Sequence, residues 1–131
     1  MSQKDHFLAV DRKNYETLLP PVGPYSHAVK HGNVLYLSGV TAYGTAAQGK
    51  SMAEQAGAIF SQLKAIAKAE GVDMRSLIKV TVFITDFSQA QELRQELFKQ
   101  YEGNLPASSL VEVGKLFSPE VNIEIEVIFG L

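Results

Sequence analysis

Between residues 77 and 86, LIKVTVFITD, apolar and polar side chains alternate. Ile78, Val80, Val82 and Ile84 fall on one face; Lys79, Thr81, Phe83 and Thr85 fall on the other. A period of two predicts a β-strand with one face on a core. The same alternation returns in NIEIEVIF, residues 122–129, where Ile123, Ile125 and Val127 oppose Glu124 and Glu126. Two shorter β-leaning runs flank Gly32–Asn33 in SHAVKHGNVLYLSG, a dipeptide that tolerates positive φ and suits a hairpin turn. SSLVEV, about 108–113, reads as a further strand. Elsewhere the period lengthens to that of a helix. Met52, Ala56, Ile59, Leu63, Ile66 and Ala67 form one stripe, opened by a Ser51–Glu54 capping box and stopped by Gly71. Ala90, Leu93, Leu97, Phe98 and Tyr101 form a second, with Ser88 and Gln91 as its cap and Gly103 as its end.

The expected order is β-β-α-β-α-β-β. It predicts an α+β fold, a mixed sheet with both helices on one face. Residues 1–131 read as a single domain, with 1–19 as an irregular N-terminal segment holding one short strand near Phe7–Val10. PPVGPY, residues 20–25, reads as a rigid loop. The sheet face without helices carries Glu124, Glu126 and Phe83. A face that is part apolar and part charged predicts contact between copies of the chain.

Composition narrows the chemistry. The chain has no cysteine, which excludes disulfides and thiolate catalysis, and its three histidines, His6, His27 and His31, lack zinc-motif spacing. No metal site is expected. A formal charge of -2 with no basic run leaves little basis for gripping nucleic acid. The N-terminus lacks a secretory signal's apolar core, and no apolar run is long enough to span a bilayer. A cytoplasmic protein without membrane partners is the expectation. Gly44 and Gly49 flank a loop that lacks the spacing of a phosphate-binding loop.

Pattern alone leaves the candidate residues open. Glu124 and Glu126 fit a solvated strand face as well as a site. Tyr25 fits a surface loop aromatic, and Ser38–Gly39 a strand end with a tight turn. Ser108 is a nucleophile only if a base activates it, and none is evidently placed to do so. Arg94, Lys30 and His27 read as ordinary helix-face and hairpin surface residues.

Five segments decide further: GPYSHAV at 23–29, LYLSG at 35–39, IKVTVFITD at 78–86, LPASSLVEV at 105–113 and VNIEIEVI at 121–128. Together, in this order and spacing, they resemble the RidA family, also called YjgF and, in older usage, L-PSP endoribonuclease or translation inhibitor. The resemblance implies a chorismate-mutase-like fold assembled as a homotrimer. The sheets would form an inner barrel, with small-molecule clefts between neighbouring subunits. It implies hydrolysis of reactive enamines and imines such as 2-aminoacrylate to a 2-oxo acid and ammonia, with no cofactor. Position by position it implies Tyr25 and Glu124 as catalytic residues. Ser38, Gly39, Ala107 and Ser108 would be the substrate-binding ones.

One position departs from the pattern. The family's PAR-S segment carries an arginine that grips the substrate carboxylate; here the segment reads Pro106-Ala107-Ser108-Ser109. An arginine fork makes two charge-assisted hydrogen bonds, of roughly 1.5–3 kcal/mol each. Its loss lowers capture of a 2-imino acid by about a hundredfold or more. The expectation is therefore a deaminase whose activity on 2-imino acids is weakened or redirected. A non-catalytic metabolite-binding trimer is the alternative. An RNA-cleaving protein, suggested only by the older names, fits the charge least.

Overall fold

The computed structural model describes residues 9–131. Six strands and two helices follow one another as β1 (Val10–Lys13), β2 (Ala28–His31), β3 (Val34–Leu37), α1 (Met52–Ala69), β4 (Leu77–Ile84), α2 (Ala90–Tyr101), β5 (Ala107–Glu112) and β6 (Ile123–Gly130). The sheet runs β1-β2-β3-β6-β4-β5. All pairings are antiparallel except β4 with β5, which are joined by the α2 crossover.

Ile59, Phe60, Leu63 and Ile66 of α1 join Leu93 and Leu97 of α2 over Val80, Val82, Ile84, Ile123, Ile125, Val127 and Phe129 of the sheet, all in one buried cluster. Each such side chain removed from water contributes roughly 1.5–3 kcal/mol. Both helices therefore cover one face, as the periodicity predicts. The opposite face carries Thr81 and Phe83 of β4 paired with Glu126 and Glu124 of β6, together with Tyr36, 46% exposed.

Local signals explain the boundaries. Ser51 caps α1: its hydroxyl accepts the Glu54 N–H at 3.1 Å and donates to the Glu54 carboxylate at 3.0 Å. Gly71, at φ +78, follows the C-cap Glu70. Gly32, at φ +60, turns the hairpin between β2 and β3.

Several expectations are corrected. The short N-terminal strand expected near Phe7–Val10 runs further along the chain: β1 spans Val10–Lys13 and pairs with β2. The Phe7–Leu8 part of the expected N-terminal strand lies outside the described residues. Ile78 does not join Val80 on the core face. A register shift between Leu77 and Lys79 inserts one extra residue opposite β6, so Leu77 is buried and Ile78 is 48% exposed. Ser88 does not cap α2. Asp86 instead caps a short 3-10 turn, Phe87–Gln89, by accepting the Ser88 N–H at 2.9 Å, and α2 continues from that turn. Phe98 is 64% exposed although its spacing fits the stripe. Tyr101 takes the buried end of that face, with its ring edge-on to Phe60 at 5.6 Å.

Candidate active site

The site begins with an irregularity where β3 meets β6. Tyr36 pairs with Ile128, and the next bridge joins Val40 to Ile125. Four steps along one strand oppose three along the other. The extra residue is accommodated at Ser38–Gly39, a bulge of the kind that re-aims side chains beside sites. Reciprocal bonds, Val40 N–H to Ile125 C=O at 2.8 Å and Ile125 N–H to Val40 C=O at 3.0 Å, then clamp the strands together.

Glu124, one residue before Ile125, lies over Gly39. A Cβ built on Gly39 would come within 2.8 Å of the Glu124 carboxyl carbon and collide with one of its oxygens. Only glycine leaves room for the carboxylate there. The carboxylate is half-buried. Burial first, and the neighbouring Glu126 charge second, raise its pKa above the ordinary carboxylate value. No ion pair among the described residues reaches it. Glu126, on the same face and paired with Thr81, is exposed.

Around Glu124 opens a cleft of about 660 Å³, lined also by Tyr25, Ser38, Gly39, His27, Tyr43 and Phe117. Four residues expected from sequence, Tyr25, Ser38, Gly39 and Glu124, are brought together here. Tyr25 is held at the end of a tight turn by its own N–H, which donates to the Gly23 carbonyl at 2.9 Å. Ser38 donates its hydroxyl to the Ser26 carbonyl at 2.6 Å, tying the bulge to the residue after Tyr25. Ala107 and Ser108 do not line this cleft. They open β5 at the edge of the sheet, and Ser108 pairs with Val80 on the helix side, the face opposite Glu124.

His27 is not the hairpin surface residue expected. Only 7% exposed, it forms part of the cleft wall. Its Nδ1 accepts the Tyr15 N–H at 2.9 Å, and its Nε2 lies 2.8 Å from the Leu19 carbonyl, a pattern that fits a hydrogen on Nε2. Arg94 is exposed on α2, and Lys30 lies toward Glu70; neither lines the cleft.

Tyr43 and Phe117 were not legible as site residues. Their rings meet edge-on at 5.3 Å, although 74 positions separate them in the chain. Buried Gln55 holds the Phe117 loop: it donates to the Lys50 and Glu120 carbonyls and accepts the Asn122 N–H. An aromatic in a loop rich in glycine or proline is the only signal the sequence offers for either ring. Among the described residues no three His, Asp or Glu side chains converge as a metal site requires, and no helix is long and apolar enough to cross a membrane.

Residues 16–129 match the family model described as Endoribonuclease L-PSP. A RutC family protein of Pyrococcus horikoshii is 35% identical over 113 residues, covering 82% of this chain and 87% of that one. A protein of Dermatophagoides farinae named 2-iminobutanoate/2-iminopropanoate deaminase is 32% identical over 109 residues, covering 81% and 84%. A Pseudomonas aeruginosa protein of unknown function, known from its crystal structure, superposes with a TM-score of 0.87 at 28% identity, covering 95% of this chain and 94% of that one. The mixed sheet with two helices on one face is thus the chorismate-mutase-like fold, and the chain belongs to the RidA/YjgF family, the family of the Endoribonuclease L-PSP model.

Proposed function

We propose that this protein hydrolyses reactive imines and enamines to a carbonyl compound and ammonia, with Glu124 as the proton carrier. The observation that carries this reading is a half-buried carboxylate without an ion-pair partner, facing a cleft that Tyr25 also lines. A relative named as an iminobutanoate and iminopropanoate deaminase supports it. Burial makes the carboxylate a stronger base than an exposed one and brings its pKa closer to neutrality, where proton shuttling is most effective.

The reaction requires only water. Glu124 takes a proton from a water molecule as the water oxygen bonds to the imine carbon, and the C=N π electrons move to nitrogen. The carboxyl then returns that proton to nitrogen. Glu124 next takes the carbinol O–H proton and passes it to the nitrogen, so that the oxygen forms the carbonyl as the C–N bond breaks and ammonia leaves. Tyr25 packs against the bound molecule from its rigid turn, and Ser38 and Gly39 form the floor.

Ala107 and Ser108 lie outside the cleft of their own chain. In the homotrimer we propose, the β5 edge of a neighbouring copy brings them to it. Ser108 then offers one neutral hydroxyl where an arginine would hold a carboxylate, so 2-imino acids are captured weakly. The deciding experiment follows ammonia release from 2-aminoacrylate, generated from serine, with the wild type and Glu124→Gln. Acceleration by the wild type that the Glu124→Gln substitution abolishes supports the reading. Binding of a small metabolite with no acceleration would leave a binding trimer instead.

A further inference from the structure

Taking the deaminase reading as its basis, we infer that the cleft selects cationic imines that lack a carboxylate and carry an aromatic or branched apolar substituent. Three observations converge on this. The first is charge. Within one chain, Glu124 is the only acidic side chain lining the cleft and no lysine or arginine lines it among the described residues; the β5 strand that a neighbouring copy would bring, Ala107–Glu112, holds no lysine or arginine either. A bound carboxylate would meet Glu124 with no cation to offset it; an iminium would be attracted.

The second is that His27, Gln62 and Ser38 of the wall are already engaged. His27 has both ring nitrogens on backbone groups. Gln62 donates to the Thr41 and Ala58 carbonyls, and Ser38 donates to Ser26. The charged group facing the cleft is the carboxylate, and its natural complement is an N–H-bearing cation.

The third is the shape and lining of the cleft. About 660 Å³ falls within the roughly 300–1,000 Å³ of drug-sized ligand sites, far more than a three-carbon imino acid fills. Leu19, Val22, Tyr25, Tyr43 and Phe117 supply its apolar lining while each stays substantially exposed. Aromatic faces hold both an apolar substituent and a neighbouring cation.

A matched pair of imines tests this. A flavin L-amino-acid oxidase acting on phenylalanine releases 2-imino-3-phenylpropanoate. A flavin amine oxidase acting on phenethylamine releases 2-phenylethanimine, the same molecule without its carboxylate. Each then takes up one water and yields a carbonyl compound and ammonia. After a short oxidase pulse is stopped, ammonia release is followed with and without the protein. The expected result is a kcat/KM at least tenfold higher for 2-phenylethanimine, lost in Glu124→Gln. Equal rates, or preference for the imino acid, overturn the inference and leave the deaminase reading intact. Acceleration of neither overturns the deaminase reading. Calorimetry with phenethylammonium and 3-phenylpropanoate then judges the charge selectivity alone. Binding of the ammonium, weakened at least tenfold by Glu124→Gln, supports it; tighter binding of the carboxylate, or binding of neither, overturns it.

Discussion

The carboxylate of Glu124 lies over the bare Cα of Gly39, in the space a Cβ would occupy. The contact joins the last strand to the bulge that ends the third, and it sets where a proton can be taken and returned. Gly39 is not among the glycines with positive φ, so alanine is compatible with its backbone. Its methyl would meet the Glu124 side chain first. Gly39→Ala is expected to lower kcat/KM for an imine about 10- to 100-fold, since small misplacements of a catalytic group cost that much. Its thermal midpoint is expected to stay close to wild type. Ammonia release and a circular-dichroism melt measure the two effects. A variant with full activity would show that the carboxylate position does not matter.

Glu124 also makes stability depend on pH. In the unfolded chain its carboxyl ionises at the ordinary value; burial first, and Glu126 second, raise that value in the fold. Between the two values the folded state binds more protons, so this group's contribution to stability declines as pH rises through that window. Glu124→Gln removes the decline. Its urea midpoint relative to wild type should therefore increase from acid to neutral pH. For activity, Glu126→Gln should move the acid limb of the pH–rate profile to lower pH, but only part of the way, because burial of Glu124 persists. A limb that stays in place would separate it from the Glu124–Glu126 pair.

Ser108 stands where the family pattern has an arginine, on an edge strand and on the sheet face opposite Glu124. A guanidinium there serves catalysis only in a cleft completed by a second copy. Ser108→Arg is expected to raise kcat/KM for 2-iminopropanoate at least tenfold, in a protein that sediments as a trimer. A folded, trimeric variant with no gain would mean that the cleft differs from the family pattern at more than this position.

At the other end of the sheet, Glu70 gathers Lys13 and Tyr15. The Lys13 ammonium lies 2.9 and 2.8 Å from its two oxygens, and the Tyr15 hydroxyl donates at 2.7 Å. Burial alone would raise the carboxyl pKa; the hydrogen bonds from Lys13 and Tyr15 more than reverse it, leaving it below the ordinary value. The stability it contributes is present above the ordinary carboxylate pKa and is lost as pH falls through the lowered one. Glu70→Gln should cost about 1–2 kcal/mol at neutral pH, the low end for charge-assisted bonds because Lys13 remains partly in water. Denaturant titration at neutral and acid pH reads both the cost and its disappearance. Tyr15 also donates its N–H to His27, so the same substitution probes how firmly the cleft wall is held.

Much of the fold was legible because its signals are local. Alternation in residues 77–86 and 122–129, the Ser51–Glu54 box, and the glycines at 32, 71 and 103 each act within a few residues of themselves. Where two local readings competed, neighbours decided. Ile78 fits the core by spacing, yet the register against Phe129 and Ile128 turns it outward. Phe98 fits the α2 stripe, yet it lies on the exposed side of that helix. β1 is short and polar, and it forms because β2 offers it an edge.

For the site, the sequence by itself determined that Glu124 and Glu126 share a sheet face, since strand side chains alternate. It also determined, through the motifs, which family this chain joins. Only the tertiary structure decided that the two acids differ. The bulge at Ser38–Gly39 draws Glu124 into a cleft, while Glu126, paired with Thr81, stays in water. It likewise decided that His27 is buried in the wall and that Tyr43 meets Phe117. The reason is physical: burial and pKa depend on what packs against a group, and here the packing partners come from segments far apart in the chain.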